Sequence, residues 1–311
     1  MELFRIKRDI PFMRYAATTA VISAITFVLA IAAIAVRGLN FSIDFTGGTV
    51  VEVHYLQAVD AQQVRGVLAA EGYSDALVQN FGTARDVLIR LPERPDVSSV
   101  MLSENVLSVL KRQDDGVELR RAERVGPQVG KELAESGVWA LLLVSVGIVL
   151  YLAARFEWRF AVGAIVATFH DVVIVVGCFA AFQWEFSLTV LAAVLAILGY
   201  SVNDTVVVFD RIRENFRKMR KGTVPEIIDN AITRTLSRTV MTHITTQLMV
   251  FSMLFLGGEI LFYFALALTL GIVVGTYSSV LVASPIVMWL GIARENLLPV
   301  NKEGADQDAR P

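Results

Sequence analysis

The sequence predicts an α-helical membrane protein with six transmembrane helices and one external α+β domain between the first and second helices. Three observations predict this fold class. Hydrophobic residues make up 55% of the 311 residues and charged residues only 19%, whereas soluble proteins are typically about 45–50% apolar and about 25% charged. The mean hydropathy is +0.57. The apolar residues lie in long runs, and a single long polar segment separates the first run from the second.

The composition also excludes several classes of protein. Acidic and basic residues nearly balance, 30 against 28, so no overall charge indicates a nucleic-acid partner. The single cysteine excludes a disulfide framework and any multi-cysteine metal site. The sequence has neither an HExxH motif nor a GxxxxGK[ST] nucleotide-binding loop, so we expect neither a metal ion nor another cofactor.

Six segments are long enough and apolar enough to cross a bilayer, which requires about 20 residues in a helix. They are Ala16–Val36, Val138–Ala154, Phe160–Phe182, Phe186–Phe209, Arg238–Gly257 and Ile260–Leu290. The first run is too long for the apolar region of a signal peptide, and no small-residue cleavage site follows it. We therefore expect the first span to be a retained anchor.

The orientation of the spans follows from the positions of the basic residues. Lys and Arg are concentrated before the first span, after the second, and between the fourth and fifth, whereas the short loops 183–185 and 258–259 contain none. Because basic loops stay in the cytoplasm, both ends should be cytoplasmic. The predicted regions are 1–37 (N-terminus and first span), 38–137 (external domain), 138–292 (five spans with a basic cytoplasmic loop at 210–237) and 293–311 (cytoplasmic tail).

The external segment 38–137 has the periodicities of a mixed α+β domain. Apolar residues alternate from Thr49 to Tyr55, as in a half-buried strand, and Asp60 is placed to cap a following helix. The remaining predicted elements are strands at Ala76–Asn80 and Asp86–Leu91, a helix at Val97–Arg112 and a strand at Gly116–Arg124. The order β-α-β-β-α-β is that of a ferredoxin-like domain.

Two carboxylates lie well inside the predicted spans, Asp171 in the third and Asp204 in the fourth. An ionised Asp at the centre of a membrane helix costs about 2.5–3.5 kcal/mol, so each needs a partner, water or a proton. Function is the default interpretation of such residues; the alternative is a neutral Asp that joins two helices by hydrogen bonds. Ser201 and Asn203 belong to the polar stretch around Asp204, and Ser201 lies on the same helix face as Asp204.

A polar stripe on the fifth span begins at Arg238 and continues through Thr242, Thr245 and Thr246. Asp204 and Arg238 both lie near the cytoplasmic ends of antiparallel spans, so we expect them to meet and form an Asp–Arg pair that can gain or lose a proton. The alternative for Arg238 is a side chain that extends to the membrane surface. His170 should point about 100° away from Asp171, and His243 lies beside the stripe rather than on it.

At these residues the sequence resembles the SecD/SecF family, and in particular its SecF members. The resemblance rests on Asp44-Phe45-Thr46-Gly47-Gly48-Thr49, Val125-Gly126-Pro127-Gln128-Val129-Gly130, His170-Asp171, the run from Gly199 to Asn215 that contains Asp204, and Arg238-Thr239. It extends over residues 5–292. The glycine-rich segments 45–49 and 126–130 join the external domain to the spans, where they are candidate hinges or tight turns.

The resemblance implies a six-span subunit of the bacterial Sec protein-export machinery in the inner membrane, similar to one half of an RND exporter. It implies that the external domain is periplasmic and that the energy source is the proton gradient. Asp204 would accept the proton, Arg238 would be its basic partner and Asp171 a supporting group. The implied partners are SecD, the SecYEG channel, an unfolded preprotein and the accessory proteins YajC and YidC, within the lipid bilayer.

Two alternatives belong to other functional classes. One is half of a proton-driven RND-type exporter of small molecules. The other is an intramembrane aspartyl protease, which needs two carboxylates in close approach. The protease is disfavoured because Asp171 lies near the middle of its span and Asp204 near the cytoplasmic end of the next, so their depths should differ by several ångströms.

Overall fold

The computed structural model describes residues 8–93, 97–219 and 221–293. After a 3₁₀ turn at Phe12–Tyr15, the elements in chain order are α1 (Ala16–Arg37), β1 (Asn40–Phe41), α2 (Ile43–Thr46), β2 (Gly48–His54), α3 (Ala61–Ala70), β3 (Leu77–Phe81), β4 (Thr83–Leu91), α4 (Ser99–Lys111), β5 (Glu118–Val125), α5 (Pro127–Arg155), α6 (Trp158–Phe182), β6 (Glu185–Phe186), α7 (Leu188–Lys218), α8 (Val224–Leu256), α9 (Gly258–Ser278), a π-helical turn (Ser279–Ala283) and α10 (Ser284–Trp289).

The region from β2 to β5 is a four-stranded antiparallel sheet in the order β3-β4-β2-β5, with α3 and α4 as its two helices. This is the predicted β-α-β-β-α-β arrangement. Val51 pairs with Ile89, and both side chains face a core that also contains Leu68 and Val106 from the two helices. The predicted cap of α3 is confirmed, because the Asp60 carboxylate accepts the backbone N–H of Gln62 at 2.9 Å.

Six helices in the described part of the chain have the length and hydropathy of membrane spans: α1, α5, α6, α7, α8, and α9 together with the π-helical turn and α10. The predicted number of spans is confirmed. Three of the spans, α5, α7 and α8, are longer than predicted. Helix α5 begins at Pro127, eleven residues before Val138, because proline is well suited to the first helical position. Residues 127–137, predicted to belong to the external domain, are therefore helical.

The predicted basic loop 210–237 is also largely helical. Helix α7 continues to Lys218 and α8 begins at Val224, where Thr223 and Glu226 form a reciprocal capping box. Arg220 lies outside the described residues, as do residues 1–7 and most of the predicted tail, 294–311. The helical extensions are polar or charged on one face and apolar on the other. They contain no long apolar run, and for this reason the sequence analysis predicted loops there.

Helix α7 lies at the centre of the bundle and contacts α6, α8 and α9. Its N-terminal half packs in an apolar cluster with α6, which includes Phe179 and Val190, and its C-terminal half packs in a second cluster, which includes Phe160 and Phe209. Gly271 of α9 allows a close approach to α7, since a Cβ atom there would lie 2.3 Å from Ile197. The buried polar residues Ser201, Asp204 and Thr205 of α7 lie near the junction of the two apolar clusters, whereas Asn215 is buried nearer the end of the helix.

Candidate proton site in the membrane bundle

Asp171 of α6 is fully buried and held by three polar side chains. The hydroxyls of Ser201 on α7 and Ser278 on α9 both donate to Asp171 Oδ2 at 2.6 Å. His170 Nδ1 lies 3.0 Å from Asp171 Oδ1, so the expectation that this imidazole points away is wrong. The His170 side chain bends back toward Asp171. A helical wheel shows only the direction in which each side chain leaves the helix, so it does not predict this contact.

Asp204 of α7 is also buried and has a separate set of partners. Thr239 of α8 donates its hydroxyl proton to Asp204 Oδ1 at 2.9 Å, and Ser279 donates to Asp204 Oδ2. His243 Nε2 lies 3.8 Å from Asp204 Oδ1. Among the described residues, no Lys or Arg contacts either carboxylate, so hydroxyls and imidazoles are their polar neighbours.

The π-helical turn places consecutive serines against the two different carboxylates. Ser278 ends α9 and donates to Asp171, and Ser279 begins the π-helical turn and donates to Asp204. Single π-helical turns inside α-helices are rare and are frequently found at functional sites. The sixth span therefore bridges the two carboxylates, so that a shift of this turn would act on both.

The predicted stripe on α8 is wrong by one residue at Arg238, Thr242 and Thr245, whereas its last member, Thr246, accepts a hydrogen bond from the Tyr200 hydroxyl of α7 at 3.4 Å. The expected contact between Asp204 and Arg238 is not among the ion pairs and hydrogen bonds of the described residues, and the Arg238 side chain is exposed. Thr239, the next residue, occupies the place expected for Arg238. One residue on an α-helix is a rotation of 100°. The face that meets α7 therefore carries Thr239 and His243, four residues apart.

Of the predicted supporting residues, one lies at the site and three lie away from it. Ser201 is buried at the site, although it donates to Asp171 rather than to Asp204. Asn203, Thr242 and Thr245 are exposed on the outer faces of their helices. Sequence reasoning missed Ser278, Ser279 and Thr276, and gave His243 no role. For Thr239 and His243 the sequence does contain a signal, a repeat of buried positions along α8 that begins at Ile228 and Ile232. This repeat becomes visible once the helix is taken to start at Val224.

The two predicted hinge segments pack directly against each other at the base of the external domain. Gly47 has φ +69°, and a Cβ atom on it would lie 2.8 Å from Pro127 Cα; a Cβ on Gly130 would lie 2.9 Å from Gly47 N. Gly48 has φ +126°, and a Cβ atom on it would lie 2.6 Å from the carbonyl oxygen of Leu91. Gly126, in contrast, has open space around it. The glycines thus permit close backbone contact between the start of α5 and the segment of α2 that leads into β2.

Asp44 connects this junction to the helix that carries Asp204. Its Oδ2 accepts the backbone N–H of Leu188, the first residue of α7, at 3.0 Å, where a negative charge also interacts favourably with the helix dipole. Nearby, Arg90 Nη2 of β4 lies 2.6 Å from Glu185 Oε2 of β6, the short strand before α7. The external domain, which the chain joins to α1 and α5, therefore also contacts the N-terminal end of α7 through the side chains of Asp44 and Arg90.

Neither a metal site nor a carboxylate dyad is present in the described part of the chain. No group of three or more His, Cys, Asp or Glu residues there converges as metal ligands would. Asp171 and Asp204 each have their own hydroxyl donors and share none. The close carboxylate pair of an aspartyl protease shares a proton, and this arrangement does not match it.

Comparisons with known proteins agree with the resemblance found in the sequence. Residues 105–293 match the family model described as "Protein export membrane protein SecD/SecF, C-terminal", and residues 32–59 match the model "SecD/SecF GG Motif". The chain is 46% identical to the protein translocase subunit SecF of Vibrio alginolyticus, over 100% of this chain and 99% of that protein. It is 47% identical to SecF of Pseudomonas aeruginosa, over 89% of this chain and 90% of that protein.

Two solved structures have the same fold. The crystal structure of SecDF from Thermus thermophilus, described as a translocon-associated membrane protein, superimposes with a TM-score of 0.82 at 38% identity. SecDF in a super-membrane-facing form gives a TM-score of 0.69 at the same identity. In both comparisons the match includes 93% of this chain, but this chain spans only about two fifths of the SecDF chain, 39% and 40%.

Proposed function

The chain belongs to the SecF branch of the SecD/SecF protein-export family, whose members are membrane subunits of a translocase, and we propose that it uses the proton motive force to promote late-stage preprotein translocation. In this proposal it acts with SecD beside the SecYEG channel, and the external domain handles the unfolded preprotein at the periplasmic face. Both termini are cytoplasmic, as the basic residues near the ends of the spans favour.

The observation that carries this proposal is the burial of Asp204 without a contacting Lys or Arg among the described residues. A carboxylate inside a membrane bundle is costly unless its charge is compensated. Two hydroxyl donors stabilise the ionised form by about 1.5–3 kcal/mol each, which offsets only part of the cost of losing water. A proton is the cation that Asp204 can take up without a large rearrangement, and in this proposal the proton gradient shifts the population of its two states.

The contacts of α7 at Asp204, in its middle, and at Leu188, its first residue, provide a route for transmitting proton uptake. Protonation of Asp204 weakens its hydrogen bonds to Thr239 and Ser279, because these are stronger when the acceptor is ionised. The resulting movement of α7 against α8 and the π-helical turn reaches Asp44 and the external domain at the other end of the same helix. Moving one charge across 100 mV supplies about 2.3 kcal/mol, enough to bias a two-state bundle.

The exposed face of α8 supports a partner half within the membrane. Arg238, Thr242 and Thr245 lie on this face, and polar and small residues of this kind are enriched where membrane helices pack together. Each threonine hydroxyl donates to its own helix, so Arg238 is the group that needs a neighbour. Arg238 stays a predicted member of the relay, and we propose that it acts across the interface with SecD. The partly matched length of SecDF is consistent with a second half supplied by another chain.

The central experiment replaces Asp204 by asparagine, which keeps the size of the side chain but removes the titratable group. Asp204→Asn should assemble with SecD at normal abundance, leave ATP-driven initiation intact and abolish the proton-dependent late stage, measured as export of a preprotein. Asp210→Asn is the control, because Asp210 lies at the exposed end of the same helix and pairs with Arg155. Wild-type export in the Asp204→Asn strain would reject the proton-carrier role.

The same preparation tests the partner face. Arg238→Met should reduce co-purification with SecD several-fold, whereas Lys218→Met, which removes an exposed cation from the end of α7, should not. Recovery of a drug-loaded assembly without SecD or SecYEG would instead support the small-molecule exporter.

A further inference from the structure

His243 lies beside Asp204 and contacts two neighbouring helices. Its Nδ1 lies 2.5 Å from Thr276 Oγ1 of α9, and its Nε2 lies 3.8 Å from Asp204 Oδ1 of α7. The ring also packs 5.2 Å from the ring of Tyr200, centroid to centroid. The imidazole is buried. A titratable ring is therefore enclosed at the interface of the three helices that surround Asp204.

The hydrogen bonds of Thr276 determine which ring nitrogen carries the proton in neutral His243. Thr276 Oγ1 lies 2.6 Å from the carbonyl oxygen of Ile272, one turn earlier in its own helix. A hydroxyl has one proton and a carbonyl can only accept, so the hydroxyl donates to Ile272. His243 Nδ1 must then donate to Thr276. The neutral ring has a single N–H, so Nε2 is an acceptor, and it is the nitrogen that faces Asp204.

An ionised Asp204 and a neutral His243 would thus present two acceptors to each other. A single proton between Oδ1 and Nε2 removes this repulsion, whichever atom holds it. Their separation of 3.8 Å is about 1 Å more than a hydrogen bond, so a small approach of α8 to α7 would bring them into transfer distance.

We propose that Asp204 and His243 form one proton site that holds a single exchangeable proton, with the imidazole as the second carrier. This rests on the proposed proton-driven function and deepens it. In the transfer step, the N–H bond of the imidazolium at Nε2 breaks and an O–H bond forms at Asp204 Oδ1, leaving a neutral ring and a neutral carboxyl group. No oxidation or reduction takes place.

The surroundings of the ring give this transfer a direction. Helix α7 contributes Asp204 and Tyr200, α9 contributes the uncharged Thr276, and α8 itself carries Arg238, which is exposed and makes no contact with the ring. Tyr200 lies one turn closer than Asp204 to the outer end of α7. His243 lies one turn beyond Thr239, which binds Asp204, on the antiparallel helix α8, and its ring packs on Tyr200. It therefore lies on the outer side of Asp204, the side from which protons enter in the proposed orientation.

The test uses the full chain, ¹⁵N-labelled at histidine and assembled with SecD in lipid nanodiscs. The His243 signals are those that disappear in His243→Asn. At high pH they should show the tautomer protonated at Nδ1, and their titration midpoint should move by about one pH unit or more in Asp204→Asn. The signals of His54, which pairs with Asp86 in the external domain, should not move. A tautomer protonated at Nε2, or an unchanged midpoint, would overturn the proposal.

Export measurements separate this proposal from the function on which it rests. His243→Asn places an amide donor where Nδ1 lies, keeping the bond to Thr276 without a titratable ring. A purely structural histidine would be replaced without loss, whereas a proton carrier should show a several-fold slower export with an altered pH profile. Wild-type rate and profile in His243→Asn, together with a defective Asp204→Asn, would reject the second carrier alone. Wild-type export in Asp204→Asn would reject the proton-driven function itself.

Discussion

At the scale of single residues, the junction between the external domain and the spans depends on the absence of side chains. Gly47 and Gly48 adopt positive φ angles that L-residues with a Cβ rarely adopt. Gly130 lies within helix α5 and does not need a positive φ angle. A side chain is excluded there because the backbone of Gly47 and Phe45 packs directly against it. The sequence motif therefore records a close contact between two backbone segments rather than two separate flexible hinges.

Gly130→Ala should destabilise the protein by about 1–3 kcal/mol, the cost of overpacking a close contact. The added Cβ would lie 2.9 Å from Gly47 N and 3.1 Å from Phe45 O, both backbone atoms that cannot rotate away. The measurement is thermal unfolding of the full chain with SecD. Gly147→Ala, in the same helix but with open space around it, should leave stability unchanged or raise it by up to about 1 kcal/mol. Equal behaviour of the two variants would argue against this contact.

At the scale of elements, α7 connects the candidate proton site to the external domain. Its outer end is capped by Ser187 and by Asp44 from the motif after α1, and its middle carries Asp204 and Ser201. A rigid helix transmits displacement along its axis. In the proposed mechanism, a movement of α7 at Asp204 therefore also displaces the backbone N–H of Leu188. The link from α7 to the sheet then runs through Asp44 and through the pair of Arg90 with Glu185.

Asp44→Ala should slow proton-driven export because it removes a charged cap worth about 1 kcal/mol from the outer end of α7. The assay compares export rates at matched protein abundance. Asp60→Ala is the matched control, since Asp60 caps α3 within the external domain but has no contact with a span. Its loss should lower the stability of the domain by a similar amount without slowing export. If both variants export at the same rate, Asp44 acts as a cap alone.

At the scale of the whole molecule, the fold separates two chemical environments. The ferredoxin-like domain has its own apolar core between the sheet and two helices. The bundle contains buried Asp, Ser, Thr and His side chains between two apolar clusters. Among the described residues, Arg155, Arg159, Arg213 and Lys218 lie at the end of the bundle away from this domain, where the proposed orientation places the cytoplasm.

A reporter that is active only outside the cytoplasm should work when fused at Gln113 and fail when fused at Gly222. Gln113 follows α4 in the external domain, and Gly222 lies between α7 and α8, next to the basic end of α7. The measurement is reporter activity in cells at matched expression. Activity at Gly222 with silence at Gln113 would invert the orientation, and with it the direction of proton entry.

The sequence alone determined the number of spans and the order of the elements in the external domain. Long apolar runs and period-two alternation arise from local burial, and burial leaves its pattern in the residues that are neighbours along the chain. The two carboxylates were also identifiable from sequence, because an Asp within an apolar run is costly wherever the helices pack. The motifs around Gly47 and Gly130 marked the junction without revealing that its two halves touch.

Only the tertiary structure decided which side chains meet. Asp204 was expected to pair with Arg238, but Thr239, Ser279 and His243 are its neighbours. The rotation of α8 is set by the apolar residues of its N-terminal extension, such as Ile228 and Ile232, which lie far from the polar stripe. A shift of one residue rotates the contacting face of a helix by 100°. Which residues meet between two helices therefore depends on packing along their whole length, and the sequence around one residue does not reveal it.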